Sequence, residues 1–167
     1  MERTEVIFEI INLSLILGSV LLVWLTIFLN QRWNKKKVTQ EILNSFIIGE
    51  IPDLNTKIRI DYGCEVYDRE TDYRKFTKSL SNKKKRDFDD TLIRILNIFE
   101  VIGLNIKNKI VVERMCYEYL GWFYTEYYRF SKDLIKEKRK IAGDNNVLIT
   151  FEKYAKKWTD RIQGERK

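Results

Sequence analysis

From Ile10 to Leu29 the sequence runs IINLSLILGSVLLVWLTIFL, twenty residues without a charged side chain. A helix of that length rises about 30 Å, which matches the hydrocarbon thickness of a bilayer. Lipid offers no hydrogen bonds, so a segment that takes it as solvent must satisfy its own backbone and folds as a helix. A cleaved signal peptide would require a basic start, a shorter apolar run and a small-residue cleavage site. The chain instead begins with Glu2, Glu5 and Glu9 around a single Arg3, and its apolar run continues past Gly18 and Ser19. A buried core helix is the competing reading, but such segments are typically shorter.

Flanking charge sets the expected orientation. Arg3 precedes the run, whereas Arg32, Lys35, Lys36 and Lys37 follow it closely, which puts the C-terminal side in the cytoplasm of an inner-membrane protein. Trp24 and Trp33 lie near that inner boundary, where an indole suits the headgroup level. The expected organisation is a short external tail (1–9), a transmembrane helix (10–29), a basic stop with helix continuation (30–50) and a cytoplasmic helical domain (51–167).

The remainder reads as helix. Val38, Ile42 and Phe46 recur at steps of four, so the membrane helix is expected to continue to about Gly49 and to end at Pro52. Asp53–Tyr62 fits either period, and with no second strand to pair with it is taken as helix. Val66, Tyr73, Phe76 and Leu80 form a further stripe, and Ser81–Asp87 is a polar break or helix start. Asp89–Ile102 is apolar on nearly every face, as a central buried helix is, with Gly103 as its expected stop. Val112, Cys116, Tyr119, Phe123, Tyr127, Phe130 and Leu134 mark a long helix, with a kink expected at Gly121. After a turn at Gly143–Asn146, a last helix carries Val147, Phe151, Tyr154, Ala155, Trp158 and Ile162 on one face. The predicted fold is all-α: one membrane helix followed by a bundle of about four to five helices.

Composition removes several kinds of chemistry. The 167 residues contain no histidine, so the commonest general base and zinc ligand are missing. Cys64 and Cys116 stand alone, with no metal or disulfide spacing, and read as reduced, partly buried thiols. No glycine-rich phosphate loop is present. No catalytic residue, metal or cofactor is expected, and the chain is read as not an enzyme.

Two polar features stand out. Asn97 and Glu100 sit one turn apart on the otherwise apolar helix, and a carboxylate there needs a partner, for which Arg139 is the first candidate. The three are read as a structural polar core; a general base or ligand contact is the rival. The second feature is charge: 31 Lys and Arg against 24 Asp and Glu give a net +7. Lys83, Lys84, Lys85 and Arg86, with Lys136, Lys138, Arg139 and Lys140, form two basic clusters able to meet an anionic partner. The charge is read first as solvating or facing an anionic leaflet, along with Arg32 and Lys35–Lys37, ahead of nucleic acid and of a protein or anionic small-molecule site. Within the span, Ser14 and Gly18 have the small-xxx-small spacing that lets two membrane helices approach, which allows a homo-oligomer.

The segment LNIFEVIGLNIKNK (Leu96–Lys109), the Trp- and Tyr-rich helix ending in KEKR (Lys136–Arg139) and FEKYAKKW (Phe151–Trp158) resemble a family of small bacterial and phage-borne proteins. Its members pair an N-terminal membrane helix with a helical cytoplasmic domain of unknown function. The resemblance rests on an LN-x-x-E element at Leu96, Asn97 and Glu100, a following glycine at Gly103 and a later arginine at Arg139. It implies the architecture, carries no reaction, and suggests a setting in phage–host conflict. The expected function is therefore a membrane-anchored interaction module whose protein partner is unknown. One alternative is an oligomerising effector that senses a ligand and perturbs the bilayer. Another is a binder of nucleic acid or an anionic ligand.

Overall fold

The computed structural model describes residues 2–165 and divides the chain into two units, Met1–Lys37 and Val38–Lys167. Described residues contain helices and turns and no strand. The first helix, α1 (Glu2–Ser45), supplies all the described secondary structure of the first unit. Its apolar stretch is long enough to cross a bilayer, and no residue of its most apolar window is buried within the protein. The Ser19 and Thr26 hydroxyls donate back to the Ile16 and Leu22 carbonyls at 2.7 and 2.8 Å, so neither needs water. Trp24 and Phe28 stack at 5.7 Å on the surface of this stretch.

In the second unit, the end of α1 passes into a single π turn (Phe46–Glu50) and then α2 (Ile51–Tyr62). The bend is at Gly49 (φ −96°, ψ −115°). Pro52 does not end a helix as its position suggested. It sits in the first turn of α2, where its missing N–H has no partner to lose. Asp53–Tyr62 is helical, as favoured. Gly63 closes α2 at φ +65°, a left-handed conformation that costs glycine nothing.

A turn-rich segment then leads to the short α3 (Tyr73–Thr77), begun by Asp72, whose carboxylate accepts the Lys75 N–H at 2.8 Å. The stripe running from Val66 to Leu80 is therefore mostly turn: Val66 and Tyr73 are buried, but only five residues form helix. The long helices follow: α4 (Asn82–Lys107) capped by Ser81, α5 (Glu113–Ala142) and α6 (Ile149–Glu165).

Two glycine expectations fail, because both glycines lie inside continuous helices. Gly103 lies inside α4, where a Cβ would stand 3.0 Å from Thr150 Cγ2, so the glycine permits α4 and α6 to approach rather than stopping the helix. Gly121 lies inside an unbroken α5, beneath the Tyr117 ring. Val147 precedes α6 rather than belonging to it.

The core is aromatic. Phe99 of α4 meets Tyr124 of α5 at 4.6 Å and Phe151 of α6 at 5.6 Å, and Tyr124 meets Trp158 at 4.6 Å. All four rings are essentially inaccessible, and side chains of this size dominate the apolar area removed from water. The Tyr124 hydroxyl donates to the Phe99 carbonyl at 2.6 Å, so its burial leaves no donor unpaired.

Candidate functional site

The polar pair on α4 does not form the predicted triad. Asn97 is exposed, because the single-residue step of about 100° after Leu96 carries it off the buried face that Leu96 and Phe99 occupy. Glu100 is half-buried and faces α6, accepting the backbone N–H groups of Thr150 at 3.2 Å and Phe151 at 2.6 Å. Leu148, just before α6, is held at φ +57°. The carboxylate therefore serves from a distant helix as a cap, satisfying orphan N–H groups where the helix dipole favours negative charge.

Arg139 has a different partner. Its Nη1 pairs with Glu152 Oε2 at 2.7 Å and its Nε donates to the Val147 carbonyl at 2.9 Å, tying the end of α5 to the start of α6. Glu152 also accepts from the Tyr128 hydroxyl at 2.9 Å and pairs with Lys156 at 2.6 Å. Burial by itself would raise the Glu152 carboxyl; Lys156, Arg139 and Tyr128 together outweigh it and hold the group at about 2. Arg139 thus leaves the exposed basic cluster in which its sequence neighbours placed it.

The remaining basic residues do converge. Lys85 and Arg86 of α4 line one shallow depression with Lys138 of α5. Lys136 and Lys140 line another with Arg74 of α3. Lys85 is committed inward: it pairs with the buried Asp89 at 3.0 Å, and Asp89 also accepts the Tyr73 hydroxyl at 2.8 Å. These contacts with Tyr73 and Asp89 raise the Lys85 ammonium above its ordinary value. Lys83, Lys84 and Arg86 are exposed.

Other functional side chains were not singled out from sequence. Arg129 uses all five guanidinium donors. Nε meets Glu126 at 2.9 Å, and the two Nη atoms reach the Val66, Asp68, Thr71 and Arg69 carbonyls at 2.7, 2.9, 3.1 and 3.5 Å. It holds the turn between α2 and α3 in place. The only sequence signal was the Glu126–Arg129 spacing of one helical turn. Asn55 Oδ1 accepts from Tyr127 at 2.8 Å and Tyr67 at 3.3 Å, and Thr39 Oγ1 accepts the Val112 N–H at the head of α5 at 2.9 Å. A groove of about 480 Å³ between α5 and α6 is lined in part by Trp122, Tyr128, Lys132, Lys156 and Asp160.

Cys64 and Cys116 are free and buried, and burial, reinforced by Glu65 and Glu113, pushes their thiols up to about 12 and about 11. Among the described residues no group of three or more Cys, Asp or Glu side chains is arranged to hold a metal ion. In the first unit, Arg32, Trp33 and Lys36 border one hollow on α1 with Leu29 and Asn30. Ser14 is exposed, and nothing lies within 4 Å of the place a Gly18 Cβ would take.

No curated protein and no solved structure matches this chain. Residues 13–158 match the family described as "Domain of unknown function (DUF4760)", a span that runs from the apolar helix to Trp158 in the core of α6. The chain belongs to the DUF4760 family, whose function is unknown.

Proposed function

We propose that this protein is a single-pass, membrane-anchored interaction module, with its N-terminus outside, its helical unit in the cytoplasm and no catalytic role. The carrying observation is the apolar stretch of α1, which has no buried residue in its most apolar window and whose Ser19 and Thr26 hydroxyls are satisfied within the helix. Such a surface is stable in lipid and costly in water. In the helical unit the polar groups best placed for chemistry have structural partners: Glu100 caps α6, Glu152 holds Arg139, and Arg129 holds a turn. That leaves binding, to a second copy or to another protein, as the favoured activity.

Alkaline carbonate extraction and a topology reporter fused to the C-terminus test the anchoring. Retention in the membrane with a cytoplasmic reporter signal is expected. Release by carbonate, or a reporter active only outside the cytoplasm, overturns it.

A second reading, an oligomerising membrane effector in a setting such as phage–host conflict, is favoured by the open surface at Gly18, four residues after Ser14. Gly18→Leu is then expected to weaken self-association in a membrane two-hybrid assay. An unchanged signal removes this reading.

A further inference from the structure

The two basic clusters, some fifty residues apart in sequence, share one end of the helical unit. Much of their charge is uncommitted. Arg74 and Lys136 lie against Asp133, and Lys85 against Asp89, but no ion pair engages Lys83, Lys84, Arg86, Lys138 or Lys140 among the described residues. The first turn of α4 contains no acidic residue, so Lys83 and Lys84 crowd the positive end of its dipole. That arrangement is unfavourable in isolation and is relieved when an anion approaches. Ile141, 73% exposed, lies one turn beyond Lys138 on the same face of α5.

These features distinguish among anionic partners. An exposed apolar side chain beside Lys138 and Lys140 suits a protein interface, where an apolar anchor is bordered by polar contacts. Asp87, Asp90 and Glu137 stand among the lysines and would repel a uniformly anionic polymer or leaflet, whereas a protein segment can match both signs. The exposed aromatics of α5 available to stack on bases, Tyr119 and Trp122, lie about 24 Å or more along the helix from Lys138.

We propose that this end of the unit docks an acidic, amphipathic segment of a partner protein, with Ile141 as the apolar anchor and Lys83, Lys84, Arg86, Lys138 and Lys140 as the rim. The proposal rests on the interaction-module reading and names its partner class.

The test uses the full chain in non-ionic detergent, titrated with a short amphipathic peptide of leucine and glutamate with a few interspersed lysines and a net negative charge, a DNA duplex, and a water-soluble short-chain phosphatidylglycerol. Peptide binding is expected to weaken with salt and to fall about tenfold in the triple variant Lys83→Gln, Lys84→Gln, Arg86→Gln and in the pair Lys138→Gln, Lys140→Gln. Ile141→Ser should weaken binding without changing its salt dependence. Unchanged circular-dichroism melts show that the variants still fold. If the peptide fails to bind, or Ile141→Ser has no effect, the proposal is overturned. It is equally overturned if the DNA or the lipid binds more tightly than the peptide and loses binding on the same substitutions. Peptide binding that every variant retains moves docking off this surface while leaving the interaction-module reading intact; carbonate release would defeat the anchoring alone.

Discussion

The Glu100 carboxylate on α4 accepts the Phe151 backbone N–H at 2.6 Å, a contact made across fifty-one residues of sequence at the point where α6 begins. A second oxygen takes the Thr150 N–H. The helix start is thereby fixed by a side chain that belongs to a different helix.

Glu100→Ala is expected to destabilise the unit by about 2 kcal/mol, because two backbone donors lose a charged acceptor at a helix N-terminus. Glu100→Gln should cost somewhat less, since one amide oxygen can still accept one N–H. Thermal melting of the full chain in detergent measures both, and an unaltered midpoint for Glu100→Ala would remove the capping role.

Arg139→Met is expected to cost roughly 2 kcal/mol at neutral pH through its partner Glu152 rather than through Glu100. The Glu152 carboxyl sits at about 2, below its ordinary 4.5. A value depressed by folding adds stability that is fully present above about 4.5 and is lost as pH falls through about 2. Glu152→Gln should therefore melt below wild type at pH 7, and the gap should narrow steadily as the medium is acidified towards pH 2. A gap independent of pH would contradict the assignment.

Gly103→Ala reverses the usual rule. Alanine inside a helix normally gains about 1 kcal/mol over glycine, but here the new methyl meets Thr150 Cγ2 at 3.0 Å and the net effect should be a loss of about 1–2 kcal/mol. Thr150→Ser removes that methyl and should restore most of the loss in the double variant. The melting midpoints of the two single variants and the double variant form the cycle.

Arg129→Lys should loosen the turn before α3 and leave α4, α5 and α6 in place. A lysine ammonium has three donors on one atom and cannot span four carbonyls and Glu126 as the planar guanidinium does. Hydrogen exchange should accelerate at residues 64–72 while protection along the three long helices holds. Uniform acceleration across the unit would mean that Arg129 supports the whole fold instead.

The helices themselves were legible in the sequence because burial leaves a periodic mark: Leu92, Ile95, Leu96 and Phe99, or Cys116, Tyr127, Phe130 and Leu134, recur at steps that place them on one face, although Tyr119 of the second stripe is exposed and Tyr124, outside that stripe, is buried in its place. The apolar stretch up to Leu29 was legible for a simpler reason, since length and lack of charge suffice. Asp53–Tyr62 was settled as helix only by its surroundings, because Leu54 and Ile58 pack into a core that the segment's own pattern does not reveal.

The partners of polar groups were decided by tertiary structure. Glu100 was recognisable as a carboxylate in need of compensation, yet the candidates nearest in chemistry, such as Arg139, lost to two backbone N–H groups that sequence does not display as donors. Arg129 was overlooked because its acceptors are carbonyls of a turn, which any residues supply. Gly103 read as a helix stop because a glycine at a terminus and a glycine at a close helix crossing leave the same letter. Periodicity is a local property and fixes which residues form each helix. Capping, clamping and close approach depend on which helix arrives opposite, and that is set only when the aromatic core of α4, α5 and α6 has packed.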